Sequence, residues 1–76
     1  MTTSLESWLD DFADELGIGS ITSEEADKLL DIAGMAAHST ERKAAPLTCW
    51  LIGKSGKSVE EAYNIAKSLE KKYTEE

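Results

Sequence analysis

The sequence has very few of the residues that hold small proteins together through disulfides or metals. Its 76 residues include one cysteine and one histidine. A lone cysteine excludes an intramolecular disulfide, and common zinc sites need more histidine or cysteine ligands than this chain has. We therefore expect no metal and no cofactor. We also expect Cys49, which lies in the most apolar segment, to be a buried thiol in a reducing compartment.

Long hydrophobic runs are missing as well. The longest, residues 47–52, is interrupted by Thr48 and is far shorter than the roughly 20 residues of a membrane span. The stretch after Met1 has neither the basic nor the apolar region of a secretion signal. These absences predict a single domain over residues 1–76 that resides in the cytoplasm and does not enter a membrane.

Basic charge is scarce and confined to one part of the chain. Residues 1–41 hold ten carboxylates and one lysine, whereas residues 42–58 hold four basic side chains and no carboxylate. The net charge is −7. Binding to nucleic acid or to an anionic membrane needs a dominant basic face, so we expect neither.

Apolar residues recur at helical spacing in four segments, and no segment shows useful strand-like alternation. The fold class predicted is all-α, a compact four-helix domain with a short, buried third helix. The helices are expected at about residues 4–16, 23–38, 46–54 and 59–73. Three capping boxes mark helix starts, at Thr3 with Glu6, Thr22 with Glu25 and Ser58 with Glu61.

The predicted third helix begins at Pro46, because proline suits the first turn of a helix but not its interior. Its apolar side chains point in both directions, with Leu47, Trp50 and Leu51 on one side and Cys49 and Ile52 on the other. A helix that is apolar nearly all round is normally buried. We therefore expect this helix at the centre of the fold and Trp50 nearly inaccessible to solvent.

Residues 53–58 read G-K-S-G-K-S and partly match two motifs that bind nucleotides or nucleic acids, but they complete neither motif. A phosphate-binding loop needs an earlier glycine, and Leu51 and Thr48 occupy that position in the two registers. The G-x-x-G loop of a KH domain needs a three-stranded sheet, which the sequence does not supply. We interpret the segment as a turn between two helices.

His38, Arg42 and Lys43 are the residues that we consider first for binding a partner or a ligand. His38 suits the C-terminal end of a helix, where a protonated imidazole interacts favourably with the helix dipole. Arg42 would bond either the last carbonyls of the second helix or a carboxylate or phosphate of a partner. No nucleophile–base pattern accompanies them, so the protein is predicted not to be an enzyme and has no catalytic residue.

A second candidate surface is acidic and lies on the outer side of the first helix. Like charges recur there at four-residue spacing, in Asp10, Asp11, Asp14 and Glu15. The face is either a docking site for a basic partner, a weak divalent-cation site, or a solubilising surface partly neutralised by Lys54 and Lys57. Met35 and Ile65 fall off their helices' main apolar stripes, and each is either a rim residue of the core or part of a contact surface.

One stretch carries a resemblance to a known family. The pattern H-x-x-x-R-x-x-A-P-L-T runs from His38 to Thr48, Gly53 follows it, and an amphipathic helix with Trp8 and Leu9 precedes it. From Leu5 to Tyr73 the chain resembles a small actinobacterial helical domain of unknown function. That domain is found alone or appended to nucleotidyltransferases of the molybdopterin-guanine dinucleotide type. The resemblance implies an accessory function near molybdenum-cofactor synthesis.

Two functions follow as hypotheses. The first is a non-enzymatic accessory module that contacts another protein, with a nucleotidyltransferase as the partner that the resemblance implies. The alternative is a small domain that binds an anionic ligand through His38, Arg42 and Lys43. The sequence does not fix the oligomeric state.

Overall fold

The structure is a computed structural model that describes residues 4–74. It contains four α-helices, and no strand occurs in that range. The helices are α1 Leu5–Leu16, α2 Ser23–Ser39, α3 Ala44–Ser55 and α4 Val59–Thr74. The predicted all-α, four-helix class is confirmed. No helix within residues 4–74 is both long enough and apolar enough to cross a membrane.

Local capping explains where three helices begin. Glu25 and Thr22 bond each other's backbone N–H groups at 3.0 and 3.1 Å, and Glu61 and Ser58 do the same at 3.1 Å. At α1 the cap is Ser4, whose hydroxyl accepts from the Ser7 N–H at 3.0 Å. The box predicted at Thr3 lies outside the described residues.

The third helix begins at Ala44 rather than at Pro46. A turn precedes it, in which the Ala44 and Ala45 N–H groups donate to the carbonyls of Glu41 and Arg42. Pro46 is then the third helical residue, where its missing N–H costs nothing because the first turn has no intrahelical acceptor for it. The proline therefore marked the first turn correctly but not the first residue.

The central helix is α2, because both α3 and α4 pack along it. Ile32 of α2 has 1% of its surface exposed and is the most deeply buried large side chain. Small residues on α2, among them Ala33, Ala36 and Ala37, are half-buried. The prediction that the third helix would be the central one is wrong.

The burial predicted for α3 is also wrong, since none of its residues is fully buried. Cys49 and Ile52 are half-buried, whereas Trp50 is 62% exposed. Within residues 4–74 only α2 packs extensively against this helix, so the side with Leu47, Trp50 and Leu51 stays exposed. A helix that is apolar on both sides is buried only where a neighbouring element covers each side. In the described part of the chain, α2 covers one side of α3.

An ion pair joins the N-terminal halves of the two longest helices. Lys28 of α2 lies 2.8 Å from a carboxylate oxygen of Glu60 in α4. The hydrogen bond between them raises the pKa of Lys28 and lowers the pKa of Glu60. Both groups are solvated, so the pair fixes the register of α4 on α2 more than it adds stability.

Candidate functional site

An apolar cleft of about 170 Å³ opens where the C-terminal halves of α2 and α4 meet the start of α3. Ile32 forms its floor. Its walls are mostly aliphatic or aromatic, and include Met35, Ala36, Ala66, Leu69 and Tyr73. The cleft is open to solvent on one side, because Leu69 and Tyr73 are 52% and 53% exposed.

The polar groups of the cleft are few and partly engaged. The hydroxyl and the N–H of Thr40 both donate to the carbonyl of Ala36 at 3.1 Å, which ends α2. Ser39 and Thr48 contribute further hydroxyls to the lining, and Glu70 is its one ionisable carboxyl group. The cleft is therefore suited to an apolar group with a positive charge beside it.

Sequence reasoning found this cleft only in part. Met35 was considered for a contact surface because it falls off the main stripe of α2, and it does line the cleft. Leu69 and Tyr73 also line it, and both lie on the apolar stripe of α4. An apolar stripe identifies a helix face but not what faces it, so their exposure had no sequence signal.

The three residues predicted to bind a partner or a ligand do not line this cleft. His38, Arg42 and Lys43 are all exposed, and none of their side chains forms a hydrogen bond or an ion pair within residues 4–74. They lie close in sequence, at the end of α2 and in the turn before α3. The Ala36 carbonyl, one of the last carbonyls of α2 that Arg42 could have bonded, accepts from Thr40 instead.

The four predicted acidic residues of α1 are exposed. Asp10 accepts a hydrogen bond from the Ser20 hydroxyl at 2.8 Å, which ties the helix to the following loop. No ion pair in the described part of the chain joins Asp11, Asp14 or Glu15 to a lysine. Nor does any group of three or more potential ligands there form a cation site. Asp10, Asp11, Asp14 and Glu15 thus remain an unneutralised acidic surface.

The segment G-K-S-G-K-S is the end of α3 and a turn. The Ser55 hydroxyl donates to the Ile52 carbonyl at 2.7 Å and accepts from the Lys57 N–H at 3.1 Å. Gly56 closes the helix with a φ of 75°, a conformation that favours glycine. Lys54 lies 4.9 Å from the centre of the Trp50 ring, within range of a cation–π interaction.

Exposed apolar surface is the most unusual property of the molecule. In the part of the chain that the structure describes, twelve large apolar side chains are about half exposed or more, and four of them lie on α1. The burial of Cys49 is partial, but it is enough to raise the pKa of the thiol. This thiol is therefore a poor nucleophile at neutral pH.

The fold and these surfaces define a small all-α domain with an apolar cleft and exposed apolar helix faces. The chain belongs to the family described as domain of unknown function DUF6457, whose family model matches residues 1–76. No significant similarity to a curated protein or to a solved structure was found.

Proposed function

We propose that this domain is a non-enzymatic accessory module that binds another protein, with the apolar cleft as its binding site. The observation that carries the proposal is the open cleft itself, whose lining is apolar apart from four hydroxyl-bearing residues and Glu70. Interface hot spots are typically apolar or aromatic side chains that fill such pockets in the partner.

The size of the cleft favours a single side chain over a cofactor or metabolite. Its volume is about 170 Å³. Sites for drug-sized ligands usually measure about 300–1,000 Å³, whereas a cavity of about 150 Å³ accepts a molecule such as benzene. One aromatic or aliphatic side chain of a partner protein therefore matches the space.

The charge around the cleft indicates the chemistry of that partner. Glu70 is half-buried in the lining, and the whole chain carries a net charge of −7. A lysine or arginine next to the apolar anchor would pair with Glu70 and speed association through the opposite charge. The expected partner segment thus combines one apolar anchor with a neighbouring basic residue.

The resemblance of the sequence suggests which partner to test first. We propose that the partner is a nucleotidyltransferase of the molybdopterin-guanine dinucleotide type and that the two proteins bind each other in the cytoplasm. The alternative, an anionic ligand held by His38, Arg42 and Lys43, has less support because these residues do not line the cleft. Nor do they line a second groove, which lies between α1 and the start of α2 and is lined by residues such as Leu9 and Ala26.

Calorimetric titration of such a nucleotidyltransferase with the wild-type domain and cleft variants tests this proposal. Leu69→Glu removes an apolar side chain from the wall of the cleft, and Ala66→Leu fills the cleft without adding charge. Each should weaken binding at least about tenfold, as loss of a hot-spot contact does. Leu30→Glu is the matched control, since Leu30 is 63% exposed and lies outside the cleft.

The two parts of the proposal fail in different ways. If the wild-type domain does not bind the nucleotidyltransferase, the proposed partner is wrong. If it binds and both cleft variants bind as tightly as Leu30→Glu, the cleft is not the binding site.

A further inference from the structure

Two helices expose apolar faces that lie apart from the cleft. On α1 the face consists of Leu5, Trp8, Phe12 and Leu16, which are 49–63% exposed. The Trp8 and Phe12 rings stack on each other, with their centres 5.7 Å apart. On α3 the face consists of Leu47, Trp50 and Leu51, which are 60–65% exposed. We call these the α1 face and the α3 face.

The charges around the two faces are opposite. Helix α1 carries five carboxylates and no basic residue, and Asp11 and Glu15 follow Trp8 at spacings that put them on its side of the helix. Residues 42–58 carry four basic side chains and no carboxylate. Lys43 and Lys54 lie at helical spacing in line with the α3 face, and Lys54 sits over the Trp50 ring.

The charges of each face are therefore more complementary to those of the other face than to those of the same face on a second copy. Two α1 faces in contact would bring carboxylates against carboxylates, and two α3 faces would bring lysines together, which is unfavourable in both cases. Within one chain the faces do not cover each other, since both remain exposed. No ion pair in residues 4–74 joins Asp11 or Glu15 to Lys43 or Lys54.

The exposed area is large enough for a stable interface between copies. The chain has an accessible surface of 6239 Å². A folded monomer of 8.3 kDa is expected to expose about 4,600 Å², so the excess is about 1,600 Å². A standard protein–protein interface removes about 800 Å² from each partner, which is only half of that excess.

We propose that the chain forms a homodimer in which the α1 face of each copy packs on the α3 face of the other. A two-fold axis makes the two contacts identical, so both faces of both copies are covered in a closed assembly. The apolar faces form the two contact centres, and the lysines of α3 pair with the carboxylates of α1 around them. This interface uses other residues than the cleft and does not depend on the proposed partner.

Charge reversal tests this arrangement in the full chain. The α1 variant carries Asp11→Lys and Glu15→Lys, and the α3 variant carries Lys43→Glu and Lys54→Glu. All four side chains are exposed, so circular dichroism should show folded helical protein for both variants. Alone, each variant would bring like charges together at both contacts.

Sedimentation equilibrium gives the dimer dissociation constant of each protein. The wild-type chain should form dimers of twice 8.3 kDa, and each variant alone should dimerise at least about tenfold more weakly. An equimolar mixture of the two variants should recover dimers, because both contacts are then between opposite charges. The control Asp27→Lys with Asp31→Lys makes the same charge change at the same spacing on α2 and should not weaken dimerisation.

Any of three results would overturn the proposal. They are a wild-type chain that stays monomeric at every concentration, variants that dimerise as tightly as wild type, and a mixture that stays monomeric. An interface between identical faces would use only the α1 face or only the α3 face, so the variant changed on the other face would dimerise as tightly as wild type. A cleft that still binds its partner under any of these results would leave the proposed function standing.

Discussion

At the scale of single residues, Arg42 is the clearest case of a motif residue without a structural contact. Its guanidinium makes no hydrogen bond or ion pair within residues 4–74, and Thr40 bonds the Ala36 carbonyl instead. We predict that Arg42→Ala changes the free energy of unfolding by no more than about 0.5 kcal/mol. Thr40→Val should cost about 0.5–1.5 kcal/mol, as loss of a hydrogen bond does. Urea unfolding of both variants measures this, and an Arg42→Ala cost above that of Thr40→Val would show a structural contact.

Ile32 is the residue on which the fold depends most, since its side chain is 1% exposed, belongs to the core and forms the floor of the cleft. Truncation to alanine should cost about 2–5 kcal/mol, enough to unfold much of so small a domain at room temperature. Leu30→Ala, two residues earlier and 63% exposed, is the control and should melt close to wild type. If thermal denaturation ranks the two variants in the opposite order, α2 is not the central helix.

At the scale of helices, the sequence predicted the positions of the elements well and their packing poorly. Helix ends depend on neighbouring residues, such as the Thr22 and Glu25 pair or the left-handed Gly17 after α1, and the chain shows those signals locally. Packing depends on which helix lies opposite a face. The apolar residues of α3 predicted burial, but α3 and α4 both pack on α2, which is therefore the central helix.

The position of the cleft could not be predicted from the sequence for the same reason. Its lining comes from three helices, so no local pattern brings Met35, Thr48 and Tyr73 together. The basic turn residues stood out in the sequence because they are unusual in an acidic chain. Charge segregation was readable from the sequence, whereas the cavity required the packed structure.

The Lys28–Glu60 pair makes a pH-dependent prediction about α2 and α4. The folded-state pKa of Glu60 is below its ordinary value of 4.5, so its contribution is present above that pH and is lost as the pH falls through the lowered pKa. Lys28 has a pKa above 10.5, so its contribution is present below that pH and is lost as the pH rises through the raised pKa.

We therefore expect Glu60→Gln to melt below wild type at neutral pH and at the same temperature as wild type at about pH 2. Asp31→Asn removes an exposed carboxylate of α2 without breaking this pair and serves as the control. Melting followed by circular dichroism at both pH values gives the comparison. A Glu60→Gln deficit that persists unchanged in acid would mean that the ion pair is not its source.

At the scale of the whole molecule, the chain separates its charges and leaves much of its apolar surface uncovered. Only Ala13, Ile32 and Ala62 are fully buried apolar residues in the described part of the chain, against twelve large apolar side chains that are about half exposed or more. Monomeric proteins rarely expose contiguous apolar patches of this extent, and such patches usually mark interaction sites. Stability and function are thus linked, because covering these faces stabilises the folded chain by mass action.

The central claim is that the apolar faces are exposed in the single chain and covered in an assembly. The two tryptophans test it most directly, since Trp8 and Trp50 are the only ones in the sequence and are 59% and 62% exposed. Quenching of their fluorescence by acrylamide, which is uncharged, should be measured over a dilution series of the wild-type chain. We predict quenching close to that of free tryptophan at the lowest concentrations, with weaker quenching and a shift to shorter emission wavelengths as the concentration rises. Tryptophans shielded from acrylamide at every concentration, in a protein that sediments as a single chain, would contradict the account.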